Sequence, residues 1–493
     1  MVRTCSILVM MKAYRAKWMD KTQRWIVGIL LVLAAVIRLK VYWQNRSLFI
    51  DEASLARNLA EKSYVDFFGP LAYDQFAPPL FMIESKMVSQ LWGMHEQAVR
   101  LLPLLASLAC LYLVYETLRK LCLHPISIIW GLGMIGLSVY AIRYATEFKQ
   151  YSGDSFVCAL LLHAVIMRDQ EWSWRSVVFW VIFGGMCILY SMPSVFILSG
   201  VGFHFLSKAE SARSRLKVLL VGGMWLLCFG AYYFLVLREG VESGYLQDYF
   251  DERFLDVGLS SWRNNLRLLQ EPLVLLADKT ALGVGLGTLL LIAGFWRMRS
   301  RLRAWRILLT VPLLVFLLAV CMRQYPVSMR LILFLLPLLI VIACAGLDAM
   351  WHTAPYYGKG LLILLIVVSI ANKKGHSYLY QKMTFEELRP GLHLLKSAIK
   401  PGDVIYVDHE AIPAFEFYQK DYISPFGFSG TIVRGEWDSD PSEILEVHSD
   451  DRIWCLFSHS LESEIQRNLR TLPTNNLNER YRAERTALYL LEK

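Results

Sequence analysis

"WIVGILLVLAAVIRLKVYWQNRSLFIDEASLAR", residues 25–57, runs through a long apolar stretch and then, a few residues later, sets two carboxylates side by side, Asp51 and Glu52. The apolar part is long enough for one membrane crossing, because about 20 helical residues at roughly 1.5 Å each span a hydrocarbon core of ~30 Å. Runs of the same character recur at 98–118, 125–142, 155–167, 176–191, 193–206, 216–237, 273–296, 307–321, 329–349 and 359–371. Together with the first, at 24–43, they predict a polytopic α-helical membrane protein of about eleven transmembrane helices. The composition agrees: 55% of the 493 residues are hydrophobic and the mean hydropathy is +0.39, too apolar for a string of soluble domains. The runs 155–167, 193–206 and 359–371 are short for a straight crossing and read as broken helices lining a cavity.

A formal charge of +9 raises the question of nucleic acid, but its distribution points to membrane topology instead. Arg3, Lys12, Arg15, Lys17, Lys21 and Arg24 precede the first span, which makes 1–23 a basic cytoplasmic N-terminus. Counting alternately, the basic loops 116–121, 167–175, 207–217 and 296–306 all fall on the same side. The segments 44–97, 143–154, 238–272, 322–328 and 372–493 then lie outside. Arg38 and Lys40, at the end of the first span, are expected to snorkel to the interface, so this span reads as a retained anchor. The nine cysteines are scattered, without metal-ligand spacing, and read as small apolar filler. His163, inside a span, is either a packed structural group or a proton relay.

Three regions follow: the N-terminus 1–23, a transmembrane domain 24–371 and a C-terminal domain 372–493. In the last, "TFEELRPGLHLLKSAIKPGDVIYVD" (384–408) predicts an amphipathic helix, a turn and a buried strand. Further strands are expected in "RIWCLFSH" (452–459) and "TALYLLEK" (486–493), with a helix between them in 460–472, giving a small extracytoplasmic α/β domain. Asp408, His409 and Glu410 follow its first strand, either as a site at a strand's carboxyl end or as the polar start of the helix "AIPAFEFYQ".

Chemistry-bearing residues collect on the outer side. The first external loop, 44–97, holds Asp51 and Glu52 at the head of an interfacial helix, and Pro78-Pro79 starts a second helix. Next comes "IRYATEFKQYSGDSF" (142–156), with Glu147, Lys149, Tyr151 and Asp154. In "MRQYPVSMRLILFLLP" (322–337), Arg323 and Arg330 stand at an outer boundary where positive-inside bias disfavours them. Arginines there need an anionic partner, and phosphate matches the guanidinium fork. Carboxylates able to accept a hydroxyl proton, beside cations able to stabilise a departing phosphate, imply glycosyl transfer from a lipid-phosphate sugar.

The order "DEASLARNL", "APPLF", "GMHEQAVRLLPLLAS", "YATEFKQYSGD" and "YPVSMRLILFLLPLL" resembles the GT-C membrane glycosyltransferases over roughly residues 20 to 350. Its bacterial family 39-like branch, related to protein O-mannosyltransferases and the lipid A aminoarabinose transferase, is the nearest in pattern. The resemblance implies an integral enzyme of the bacterial inner membrane that moves a sugar from a polyprenyl-phosphate donor to a hydroxyl of a glycan, lipid or protein, with inversion. It makes Asp51 the catalytic base, with Glu52 beside it as a metal or acceptor contact. It makes Arg330 a ligand of the donor phosphate and Lys149 a second phosphate or pyranose contact; beside the resemblance, Arg323 is expected on the donor phosphate, and Glu147, Tyr151 and Asp154 at the donor or acceptor sugar. No cofactor is demanded; a divalent metal is compatible with the resemblance. Many relatives carry His before the paired prolines and an aromatic after the late arginine, where this chain has Ala77 and Leu331. Two rivals are a lipid-linked sugar transporter or flippase, which calls for inverted repeats, and an O-antigen-type polymerase or ligase, which calls for a late basic and histidine-bearing loop.

Overall fold

The computed structural model describes residues 19–121, 123–167, 172–238, 248–256, 258, 261–276, 280–299, 305–360, 363–364, 374–420, 427–428, 430–436, 452–470 and 477–492. Most of the basic N-terminus and most of the run 359–371 lie outside them. Every apolar run before residue 350 contains a helix: α1 (Lys21–Trp43), α4 (Glu96–Lys120), α5 (Pro125–Leu137), α7 (Tyr151–Met167), α8 (Trp174–Tyr190), α9 (Ser194–Lys208), α10 (Ala212–Tyr232), α12 (Ala281–Arg297), α13 (Arg306–Cys321) and α14 (Leu335–Thr353). The segment 44–97 supplies α2 (Ile50–Glu61) and α3 (Pro79–Trp92), and short α6 (Val139–Tyr144) follows α5. The expected outer loop 238–272 is partly helical, because α11 (Trp262–Leu276) starts within it. Among the described residues α1, α4, α14 and α10 with its extension to Leu237 are long and apolar enough to cross a membrane, while α5, α7, α8, α9 and α13 are shorter apolar helices.

α14 is the hub. Its residues from Leu335 to Ala349 are all buried, and it packs on α12, α5, α7, α11 and α4. Contact with α12 is backbone to backbone: a Cβ on Gly294 would sit 2.2 Å from the Ile342 carbonyl oxygen, and one on Gly346 2.1 Å from that of Leu290. At one end of this pair Asp348, wholly buried, receives Arg297 at 2.8 Å and the His124 amide at 2.9 Å. His163 Nδ1 and Thr117 Oγ1 share a hydrogen bond of 3.4 Å between α4 and α7.

Arg38 departs from expectation. It does not snorkel: it is fully buried and donates to Ser107 Oγ at 2.9 Å and to the carbonyls of Ala34, Ile135 and Gly136 at 2.8–3.0 Å. The reason lies in the neighbour. The run 125–142 breaks at Ser138, whose extended ψ of 121° ends α5, and the last carbonyls of a broken helix need donors. Arg38 supplies them. Lys40 remains exposed and donates to the Leu379 carbonyl at 2.7 Å.

The C-terminal domain is a five-stranded sheet in the order β2-β1-β3-β5-β4, built from β1 (Val404–Val407), β2 (Thr431–Arg434), β3 (Ile453–Ser458), β4 (Leu477–Ala483) and β5 (Thr486–Leu491). β1 runs parallel to β2 and β3; β5 is antiparallel to β3 and β4. β1, β3 and β5 are the expected apolar runs, whereas β2 and β4 are the half-exposed edges. Helices α15 (Leu388–Ala398), α16 (Ile412–Gln419) and α17 (Glu462–Arg470) complete it.

This domain does not hang free. Leu55, Leu59, Phe81 and Phe148 share one core with Leu392, Phe415 and Trp454, so α2 is enclosed between the helical bundle and α16. Polar ties fix the seam. The Tyr418 hydroxyl accepts from the Leu48 amide at 2.8 Å and donates to Glu96 at 2.9 Å. Arg389 donates to the Asn45 carbonyl at 2.7 Å.

Candidate active site

Asp51 and Glu52 stand in the first turn of α2, where the unpaired amides of a helix N-terminus favour negative charge. One residue of offset turns them about 100° apart around a helix of ~3.6 residues per turn, and their surroundings then differ completely. Glu52 faces the bundle. It is wholly buried and receives Arg100 at 2.5 and 2.8 Å, the Phe148 amide at 2.6 Å and Arg46 at 3.7 Å. Burial alone raises a carboxyl pKa, but these cations and the amide hold Glu52 below its usual value. It does not reach the cavity.

Asp51 opens onto a cavity of about 1510 Å³ bounded by the bundle, the segment 44–97 and the sheet domain. Arg330 Nη1 lies 3.1 Å from Asp51 Oδ2, with both side chains about one-third exposed. Arg330 belongs to a run of turns, 329–334, just before α14, so the hub helix fixes its position. Lys149 is buried in the cavity wall and donates to Gln75 Oε1 at 2.6 Å. Lys149 above all, then Arg330 and His459, hold the Asp51 carboxyl below its ordinary range. Burial in turn pushes Lys149 down, against the opposing pull of Asp51.

The remaining residues singled out from sequence divide. Tyr151 and Asp154 line the cavity from the first turn of α7. Tyr151 packs edge-on against Tyr144 at 5.1 Å; Asp154, 5% exposed, has no hydrogen-bond partner for Oδ1 among the described residues. Arg323 lies on the rim, half-exposed, in an ion pair with Asp251. Glu147 is buried against Arg143 at 3.0 Å and does not line the cavity; burial holds its carboxyl above the usual value.

The cavity has two chemistries. Asp51, Lys149, Arg143 and Arg330 make one polar wall, while Met192, Val195, Phe196 and Phe229 make an apolar flank. Phe196 and Tyr325, both on the cavity wall, interlock with Phe316 and Phe334 at 5.3–6.1 Å. The end of α10 widens into a π-helical turn, Tyr233–Leu237, a local device often found at functional sites, and Tyr233 and Leu237 line the cavity. A charged head with an acyl-like tail suits this division.

Several cavity residues escaped the sequence reading. Gln75, which orients Lys149, sits in an irregular loop with no pattern to mark it. Glu386, His459 and Arg485 come from the sheet domain, more than 300 residues from Asp51 in the chain, whereas His409 and Glu410, noted after the first strand, line the cavity beside them. Among the described residues no group of three His, Cys, Asp or Glu side chains is placed to hold a metal ion.

No family model matches the chain, and no curated protein matches it. Solved structures do. ArnT from Cupriavidus metallidurans in the apo state is similar with a TM-score of 0.53 at 13% identity, over 96% of this chain and 99% of that one. ArnT from the same organism bound to undecaprenyl phosphate gives a TM-score of 0.53 at 13% identity, over 94% and 98%. An apo oligosaccharyltransferase from Archaeoglobus fulgidus gives 0.48 at 12% identity, over 89% and 70%. The chain shares the fold of ArnT over nearly the whole length of both chains.

Proposed function

We propose that this protein transfers a sugar from a polyprenyl-phosphate donor to an acceptor hydroxyl on the extracytoplasmic face of the membrane. The observation that carries the reading is the Asp51–Arg330 pair, with Lys149 beside it, on the wall of a cavity that is also lined by Met192, Val195, Phe196 and Phe229. Undecaprenyl phosphate bound to ArnT, which shares the fold, supports the choice of donor.

In the proposed reaction the donor phosphate lies against Arg330 and Lys149, its prenyl tail along Phe196 and Phe229, and its sugar toward Tyr151 and Asp154. Asp51 takes the proton from the acceptor hydroxyl as that oxygen forms its bond to the anomeric carbon. The bond from that carbon to the phosphate oxygen breaks on the opposite side, so configuration inverts and polyprenyl phosphate departs. Arg330 and Lys149 stabilise the charge that grows on the leaving oxygen.

The arrangement carries its own timing. Before the donor arrives, Arg330 and Lys149 hold Asp51 ionised but weakly basic. A phosphate that engages both cations places negative charge beside Asp51 and raises its proton affinity, so donor binding prepares the base. Glu52 and Glu147 take no part in proton transfer; with Arg100, Arg46 and Arg143 they hold the helix and loop that present Asp51 and Lys149.

The test is a panel of polyprenyl-phosphate sugars incubated with purified protein and with Asp51→Asn, following donor consumption. Consumption by the wild type alone supports the proposal. Movement of intact donor across a bilayer without consumption overturns it in favour of transport.

A further inference from the structure

The sheet domain brings a second set of groups to the cavity. β1 and β3 are parallel neighbours, so their carboxyl ends emerge together, the usual place for ligands on parallel strands. From β1 comes Glu410; from β3 comes His459. His459 has φ +67°, and Arg485, in the adjoining β4–β5 turn, has φ +52°. Non-glycine residues rarely adopt this left-handed region, and those that do concentrate at functional sites.

His459 is not loose. Its Nδ1 lies 2.5 Å from Glu386 Oε1. Glu386 is 2% exposed, and its other oxygen accepts from the Ile50 amide at 3.3 Å, one residue before Asp51. One buried carboxylate thus ties His459 to the helix turn that carries the proposed base. With Nδ1 committed as donor to Glu386, the ring has Nε2 left for a ligand. Glu410, half-buried beside His459, has no hydrogen-bond partner for its carboxylate among the described residues. Glu386 and Glu410 stand against His459 and Arg485 here, a balance of charge that suits an uncharged acceptor.

We propose that His459 and Glu410 form the acceptor subsite and read neighbouring hydroxyls of an uncharged sugar, with Glu386 as the positioning residue for His459. One hydroxyl oxygen accepts from His459 Nε2–H, and the next hydroxyl donates to the Glu410 carboxylate. The sugar's attacking hydroxyl is thereby presented to Asp51 across the cavity. This rests on the transferase reading, and it narrows the acceptor from glycan, lipid or protein to a sugar-bearing molecule.

The experiment uses the full chain in lipid nanodiscs and saturation-transfer NMR with the methyl glycosides of glucose, mannose and galactose, each beside its 2-deoxy or 3-deoxy analogue. The wild type is expected to bind at least one parent glycoside and to lose about tenfold in affinity for the analogue that breaks the hydroxyl pair. His459→Gln and Glu410→Gln should each lower affinity for the parent about tenfold and leave polyprenyl-phosphate binding unchanged. The hydrogen bond and charge of Glu386, with Glu410, raise the His459 pKa above the ordinary 6.5, against burial and Arg485. Affinity should therefore fall as pH rises through that raised value, and Glu386→Gln should move the fall to lower pH. Equal binding by wild type and variants, no binding of any glycoside, or an unmoved pH profile in Glu386→Gln overturns the proposal. Donor left unconsumed while glycoside binding and its loss in the variants persist faults the transferase reading alone.

Discussion

Asp51 and Glu52 are adjacent, chemically alike and in the same helical turn, yet they live in opposite regimes. Around Glu52 the partners form a closed set: two guanidiniums and an amide, all buried. Around Asp51 the set is open, with one arginine at hydrogen-bond distance, a lysine nearby and the cavity in front. A closed cluster stores stability and resists change, because loss of either partner strands a charge in low dielectric. An open one can exchange partners, which is what a base and a phosphate site require. Two neighbouring residues thus separate holding from reacting.

That contrast breaks most sharply at Asp51. Asp51→Asn should lower donor turnover by about 10²- to 10⁴-fold, the range for loss of general-base assistance, while the thermal unfolding midpoint stays within a few degrees. A folded variant with near-normal turnover removes Asp51 from the base role. Glu52→Gln should do the reverse: it leaves Arg100 and Arg46 short of a counter-charge, at a cost of about 3–5 kcal/mol. This is read as a lowered unfolding midpoint and yield in detergent, and an unaltered midpoint would show that the knot around Glu52 contributes little.

Next in size is Arg330→Ala. It deletes a charged hydrogen-bond donor worth about 1.5–3 kcal/mol, so donor affinity should fall about 10- to 100-fold, measured by direct binding of polyprenyl phosphate. Unchanged affinity would place the phosphate elsewhere. A pH profile then sharpens the open-cluster idea. The Asp51 pKa is depressed in the free protein, so activity is present above that value and lost as pH falls through it. The acid limb of kcat/KM for the donor should lie below the usual carboxylate range, and that of kcat, which reports the donor complex, should lie higher. Coincident limbs would mean that the donor does not alter Asp51. The smallest effect is expected at Arg323→Ala: its pair with Asp251 is solvent-exposed, such pairs contribute about 0–1 kcal/mol, and donor KM should change less than about threefold.

The helical bundle was legible because apolar length is a local property that survives folding, and β1, β3 and β5 were legible for the same reason. Edge strands β2 and β4 were not, since an exposed edge carries polar residues that resemble loop. Within the site, Asp51, Lys149 and Arg330 stood out as charges at membrane boundaries, and the chain brings those three segments to one cavity. The different fate of Glu52 had no sequence signal: its partners lie at positions 46 and 100 in separate segments, and only packing turns them inward. Arg38 taught the same lesson in reverse. A charge at the end of a span suggested escape to water, but the broken helix beside it offered unpaired carbonyls, and these won. Glu386, His459 and Gln75 lay beyond reach because their meaning is relational, set by what stands opposite them.

The ties from Tyr418 to Leu48 and from Glu386 to Ile50 join positions 336 to 370 residues apart. Their consequence concerns the order of synthesis. The helix that bears Asp51 emerges among the first segments of the chain, but its entry turn acquires these partners only after residues 386–418 have been made. A nascent chain therefore carries the proposed base long before it has the seam that holds it in place, and the protein comes of age as a unit rather than span by span.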